Sequence, residues 1–459
     1  MSSELRFDSN RQSSIDSNRQ SSIVNRQLKL LFGFVTLLCA VEEAFAQKAW
    51  EYGGFLEQGG RIYYRRPNPS DTHAQAGARF QFWTKAAISN RLSWRGTWDF
   101  RLDTHHDVDR HRWLDVAQRG LRKPAGSLSE FYFDLRLNHL DLRLGKQTIR
   151  WGRADGFNPT DNLLPYDYLD TFSDERIPVP ALKADAYWQG SRFELVYVPV
   201  FTPTRLPLLN QRWFPSLPGS GAFSLTPDAP PVEVDLAYRD GGREFPPTTW
   251  ESGQWGVRWN QLVPGAEFSL SYFDGFDDIA FFQPVAAFSP LPRPNLLVTL
   301  NREYYRVRVV GADLASELGP FGMRGEVAYF DQTDPSNRDH LLFVIGLDRS
   351  WGDWFAIVQY TGQYLPGSSV PAAVFPDLGL RSTMLIRVER NLGPSRSFEL
   401  QGAVRLLDGD FMVQPIYNIT LSNRWRLKLG ARFLAGPASG FLGQYRDSSS
   451  LDLQLRYTY

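Results

Sequence analysis

The chain has 459 residues with 50 Lys and Arg against 50 Asp and Glu, so its formal charge is zero and no nucleic-acid partner is implied. A single cysteine excludes a disulfide framework. A mean hydropathy of −0.34, with no apolar run after residue 46 long enough for a spanning helix, excludes a helical membrane protein but not a transmembrane barrel, in which half of every strand faces a polar lumen.

The first residues are polar and nearly repeat themselves, DSNRQSSI at 8–15 and again at 16–23, with no apolar face that would drive folding. Arg26 and Lys29 then precede an apolar run over 30–41, and Ala44-Phe45-Ala46 stands before Gln47. A positive flank, a short apolar core and an A-x-A site describe a secretory signal peptide. Residues 1–46 are therefore expected to be a disordered extension plus signal peptide, and 47–459 one β-barrel domain. Loss of Cys39 with the signal would leave a mature chain without cysteine.

From Trp50 onward the side chains repeat every two residues, the period of a strand with one apolar and one polar face. At 92–103, Leu92, Trp94, Trp98, Phe100 and Leu102 oppose Arg95, Asp99 and Arg101; at 128–137, Phe131, Phe133 and Leu135 oppose Glu130, Asp134 and Arg136. Similar segments follow at 140–145, 193–201, 254–261, 266–273, 303–314, 323–330, 354–360, 383–390, 398–407, 411–421 and 424–434, with weaker ones near Tyr52, Phe80, Ala184 and Phe343. At 448–459 the alternation is unbroken, with Leu451, Leu453, Leu455, Tyr457 and Tyr459 on one face.

The connections alternate between tight turns of Gly, Pro, Asn and Asp and long segments at 104–127, 152–180, 202–249, 276–300, 366–379 and 435–447; Asp408-Gly409 is the one tight connection on the long side. The predicted fold is all-β, a single antiparallel transmembrane β-barrel of about 18 strands with short periplasmic turns and long extracellular loops. Its 14 Trp and 19 Tyr fit aromatic girdles at two membrane interfaces. The 202–249 segment, with Pro203, Pro207, Pro215, Pro218, Pro246 and Pro247 among its prolines, is expected to hold no regular strands and to cap or enter the mouth.

Two stretches resemble known families. The 448–459 strand resembles the terminal strand of bacterial outer-membrane β-barrels, which implies outer-membrane residence and reading by the barrel assembly machinery. The stretch LGKQTIRWGRADGFNPTDNLL at 144–164 resembles a motif of porin-like barrels loosely akin to alginate-export channels, carried by Gly145, Lys146, Gln147, Trp151, Gly152, Arg153, Asn158, Pro159, Thr160, Asp161 and Asn162. Physically, Asn-Pro-Thr-Asp is turn chemistry. A loop folded back on the wall and a constriction lining the pore are both open, with Trp151, Arg153, Asn158 and Asp161 as candidates.

Function should lie on the polar phase of the strands. That phase places Arg95, Arg101, Arg136, Arg143, Arg306, Arg308, Arg387, Arg405, Arg426, Lys428, Arg432 and Arg456 on the lumen wall, a basic surplus suited to anionic solutes. Cross-strand acids could neutralise that wall, as could the loop acids Asp155, Asp161 and Asp174 if they fold in. His105, His106 and His111 with Asp107 and Asp109 match no known ligand spacing, and neither a metal nor a cofactor is expected. No nucleophile turn is present and no enzyme is expected. The reading is a diffusion channel for small or oligomeric hydrophilic solutes in the outer-membrane bilayer. An export or lipid and polysaccharide transfer barrel with a periplasmic partner, and an outer-membrane hydrolase, remain as alternatives.

Overall fold

The computed structural model describes residues 50–66, 72–223, 231–289, 295–335, 339–364 and 382–459. Residues 1–49, with the expected extension and signal peptide, and the whole 366–379 loop lie outside these. The chain divides into a first unit of 1–51 and a second of 52–459, and the barrel is built by the second.

Among the described residues twenty-three strands follow in chain order: β1 (Trp50–Tyr63), β2 (Ala74–Ala87), β3 (Leu92–Asp103), β4 (Val108–Trp113), β5 (Lys123–Arg136), β6 (Leu140–Gln147), β7 (Val179–Trp188), β8 (Ser191–Val198), β9 (Ser220–Phe223), β10 (Val232–Glu244), β11 (Gln254–Val263), β12 (Ala266–Phe276), β13 (Phe281–Ser289), β14 (Asn295–Glu303), β15 (Arg306–Leu318), β16 (Phe321–Gln332), β17 (His340–Trp351), β18 (Trp354–Tyr364), β19 (Thr383–Asn391), β20 (Arg396–Arg405), β21 (Phe411–Thr420), β22 (Trp425–Ala435) and β23 (Ser450–Thr458). Eighteen of them pair antiparallel, each with its neighbours along the chain, into a closed ring that omits β4, β9, β10, β13 and β14. Closure comes from β1 against β23, with Leu56 opposite Tyr457 and Arg61 opposite Asp452. No edge of the ring is left to recruit another chain.

The alternation read from the sequence becomes an inside and an outside. On β22 and β23, Leu429, Phe433, Leu451 and Leu453 are exposed on the outer surface, while Arg432 and Ser450 between them are buried on the inner one. A one-residue slip would send every cation of β22 outward. Serine hydroxyls help close the short turns: Ser89 Oγ accepts from the Arg91 and Leu92 amides at 3.3 and 3.1 Å, and Ser422 Oγ does the same for Arg424 and Trp425.

The long-loop end departs from expectation. The 202–249 segment is not free of strands: β9 and β10 lie in it and join β13 and β14 in a second sheet of order β9-β10-β14-β13. The prolines bracket these strands rather than interrupt them, since Pro215 and Pro218 precede β9, Pro231 precedes β10 and Pro246 follows it. The exception, Pro284, sits in β13 at the edge of the sheet, where a missing amide proton breaks no ladder. Before β9, residues 202–217 cross the mouth. Thr204 bonds Asp278 beyond β12 at 2.9 Å, Gln211 bonds Asp107 beyond β3 at 2.9 Å, and Trp213 packs among Tyr63, Phe172 and Tyr445 beside β1 and β22.

Candidate functional site

The segment between β6 and β7, residues 148–178, leaves the wall and enters the lumen. Its first anchor is apolar. Trp151 is fully buried in a cluster with Ile149, Leu163 and Leu164 from the same segment and Val196, Val198, Phe273, Val307, Val309 and Ala328 from β8, β12, β15 and β16. The ring lies so close to β11 that a Cβ on Gly256 would meet it at 2.7 Å. The Trp151 indole N–H donates to Glu194, and its amide donates to Asp161 Oδ1 at 3.2 Å.

The second anchor is polar. Glu326 on β16 accepts from the Arg153 amide, from the Ala154 amide at 2.6 Å and from the Thr160 hydroxyl at 3.0 Å. Gly152 turns there at φ +87°, and a Cβ would meet the Glu326 carboxylate at 2.8 Å, so conformation and space both require glycine. The Arg153 guanidinium reaches Asp313 on β15, Asn260 on β11 and Glu267 on β12. Asn158 closes the turn by accepting the Asp161 amide at 3.1 Å through its carbonyl, and Asp161 pairs with Arg176 at 3.0 Å. Burial raises the Asp161 carboxyl from its ordinary value against the pull of Arg176.

Further along, the segment meets the opposite wall. Asp170 bonds Arg61 at 2.6 Å and Arg432 at 3.2 Å. Burial alone would raise the Asp170 carboxyl, but Arg432 and Arg61 overcome it and hold the group well below the usual carboxylate range. Glu175 takes Arg101 and Lys123, the latter at 2.9 Å, and is likewise held low against burial. Asp155 pairs with Arg387 at 3.1 Å. The segment therefore spans the barrel from β11–β16 to β1, β3 and β22.

A cavity of about 1080 Å³ remains around it. Its lining, among the described residues, carries ten Lys or Arg and eight Asp or Glu. Of the residues singled out from the sequence, Trp151, Arg153, Asn158, Asp161, Arg101, Arg387, Lys428 and Arg432 line this cavity.

The predicted wall cations fall into three groups. Most are inward and paired: Arg95 with Glu130 at 3.6 Å, Arg143 with Asp134 at 2.6 Å, Arg405 with Asp408 at 2.8 Å and Arg456 with Glu57, beside Arg101, Arg387 and Arg432 already described. Arg136, Arg426 and Lys428 share the inward phase but, among the described residues, hold no ion pair; Arg426 even lies opposite Arg456 in register. Arg306 and Arg308 are a correction, since they do not face the lumen. Val307 and Val309 point inward into the cluster beneath Trp151, which turns Arg308 outward in phase with exposed Val310, at the long-loop rim opposite Asp274 and Asp331. Polarity misassigned the phase because the inner wall is apolar where it receives the loop. Sequence reasoning also missed the acids that hold the loop. Glu326, Asp313, Glu194, Asp170 and Glu175 had no signal beyond their inward phase or loop position.

Among solved structures the chain is similar to OccAB4 of Acinetobacter baumannii, at 9% identity over 90% of this chain and 99% of that one, with a TM-score of 0.52. It is also similar to OccK11 of Pseudomonas aeruginosa, at 12% identity over 89% and 95% of the two chains with a TM-score of 0.48. A triple mutant of the Rhodopseudomonas blastica porin gives 6% identity over 89% and 100%, with a TM-score of 0.39. At such identities the likeness is one of fold, and it does not show the alginate-export relationship. No curated protein matches the sequence. A closed ring of eighteen strands with an apolar outer surface is the architecture of an outer-membrane barrel. Residues 91–344, more than half of the chain, match the model of a protein family of unknown function, DUF1302, and the chain belongs to that family.

Proposed function

We propose that the protein is an outer-membrane channel for hydrophilic solutes, with a modest preference for anions set where the inward segment narrows the lumen. The observation that supports it is the cavity of about 1080 Å³ inside a closed barrel, with ten Lys or Arg and eight Asp or Glu among the residues that line it. A barrel built only to anchor in lipid has no need to keep such a wall wet.

The anion preference rests on what pairing leaves over. Loop acids fold in and neutralise much of the wall, as Asp170 does for Arg61 and Arg432 and Asp155 for Arg387. Lys428 on β22 and Arg150 line the cavity and, with Arg426 in the same inward phase of β22, hold no ion pair among the described residues; they supply the surplus. Planar-bilayer recording of the purified barrel in a potassium chloride gradient tests both parts. Stable conductance steps with a chloride-directed reversal potential are expected. A barrel that never conducts would sink the channel reading, and a potassium-directed potential would sink the anion preference.

A further inference from the structure

We infer that Asp103, His105 and Asp107 form a binding site for a divalent transition-metal ion of the zinc class on the lumen wall. The three sit where β3 ends and the following loop begins, and one donor atom from each lies within 4.8 Å of the others. His105 Nε2 stands 3.1 Å from Asp107 Oδ2 and 3.6 Å from Asp103 Oδ2. Zinc bound at about 2.0–2.1 Å by tetrahedral nitrogen and oxygen donors spaces them at about 3.3 Å, so these separations need little adjustment. One imidazole with two carboxylates is a donor set for a borderline ion rather than for calcium or magnesium, which prefer oxygen alone.

A second observation points to an occupant. The Asp103 side chain is only 6% exposed, and its Oδ1 has no hydrogen-bond partner. A buried carboxylate oxygen without a donor is a costly exception, and an ion held by both oxygens of the Asp103 carboxylate would remove it. The other oxygen, Oδ2, accepts the Asp107 and Val108 amides at 2.7 and 3.0 Å, which fixes the carboxylate on the rigid end of β3. The neighbouring cations are already engaged, Arg61 by Asp170 and Asp452 and Lys123 by Glu175, so they do not claim these acids. All three residues line the water-accessible cavity, which gives an ion both a route in and a water for its open position. His106, His111 and Asp109 stand outside the cluster.

The test is calorimetric titration of the purified full-length barrel in detergent with zinc chloride, and in parallel with calcium chloride. One zinc ion per chain is expected, with calcium much weaker. His105→Ala and Asp103→Asn should each weaken zinc binding by at least about tenfold, while His106→Ala and His111→Ala leave it unchanged. Asp103 also holds loop backbone, so His105→Ala decides the case if Asp103→Asn fails to give a heat-modifiable barrel. Absence of stoichiometric zinc binding, an undiminished signal in His105→Ala, or an equal loss in His106→Ala would each overturn the site and leave His105 as a protonated partner of its two carboxylates.

Discussion

Arg153, carried into the lumen by the segment after β6, shares the Asp313 carboxylate of β15 with Arg258 of β11, which bonds it at 2.9 Å. Asp313 is almost completely buried, so one acid holds both a wall cation and the inward segment. Removing the acid leaves Arg258 without its carboxylate and Arg153 with Glu267 and Asn260 alone, whereas removing Arg153 leaves Asp313 partnered by Arg258. Asp313→Ala should cost about 3 kcal/mol, in the range for breaking a buried pair, and Arg153→Ala clearly less. Heat-modifiable migration against temperature reads the first effect. For Arg153→Ala, higher and noisier single-channel conductance is expected as the segment loosens, and an unchanged trace would show that Glu326 and Trp151 suffice to hold it.

The ring closes through β1 and β23, and Tyr459 beyond β23 stacks on Phe80 of β2 with ring centroids 6.1 Å apart. Leu455→Arg on the outward phase should destabilise the barrel by about 2–4 kcal/mol near the bilayer midplane and by less near an interface. Deleting Tyr459 should lower the amount of assembled barrel in the membrane more than it alters the conductance of what does assemble. Quantitative blotting of membrane fractions alongside bilayer recording separates the two, and normal assembly without Tyr457 and Tyr459 would contradict this role.

Selectivity should follow the cations that lack partners. Arg426→Glu with Lys428→Glu is expected to weaken or reverse the chloride preference at low salt, with a smaller change as screening rises. Arg432→Glu would act differently, because it places a new carboxylate beside Asp170. That variant should lose assembled protein rather than simply shift selectivity. Reversal potentials at two salt concentrations, with expression levels measured in parallel, distinguish these outcomes.

At the mouth, burial first and Asp277 second push the Asp278 carboxyl up to about 7, against the hydrogen bond from Thr204. An unfolded aspartate titrates near about 3.9, so between these values the folded chain holds the extra proton. Stability therefore falls as pH rises through that window and is level above it. Asp278→Asn keeps an acceptor for Thr204 and removes the titration, so it should protect the 202–217 crossing from protease more at pH 8 than at pH 5. Equal protection at both values would show that Asp278 is already ionised at the lower pH.

The alternation of side chains determined the architecture by itself. A period of two fixes which neighbours share a face before any contact is made, and strands of about ten residues joined by alternately short and long connections fit a barrel wall in lipid. Hence the strands, the alternation of short and long connections and the inward phase of β3, β5, β19, β20, β22 and β23 were legible, as were the turn residues around Asn158 and Asp161. What the wall does was not. Period two assigns a side chain to a face, but the name of that face comes from what lies against it, and at β15 the loop carrying Trp151 made the inner wall apolar and sent Arg306 and Arg308 outward. Likewise, whether a lumen cation is free depends on acids far away in the chain, such as Asp170 for Arg432 and Glu57 for Arg456. Those pairings are decided only when a closed ring brings both walls and the inward segment within reach of one another, because an ion pair depends on distance in space and not on position along the chain.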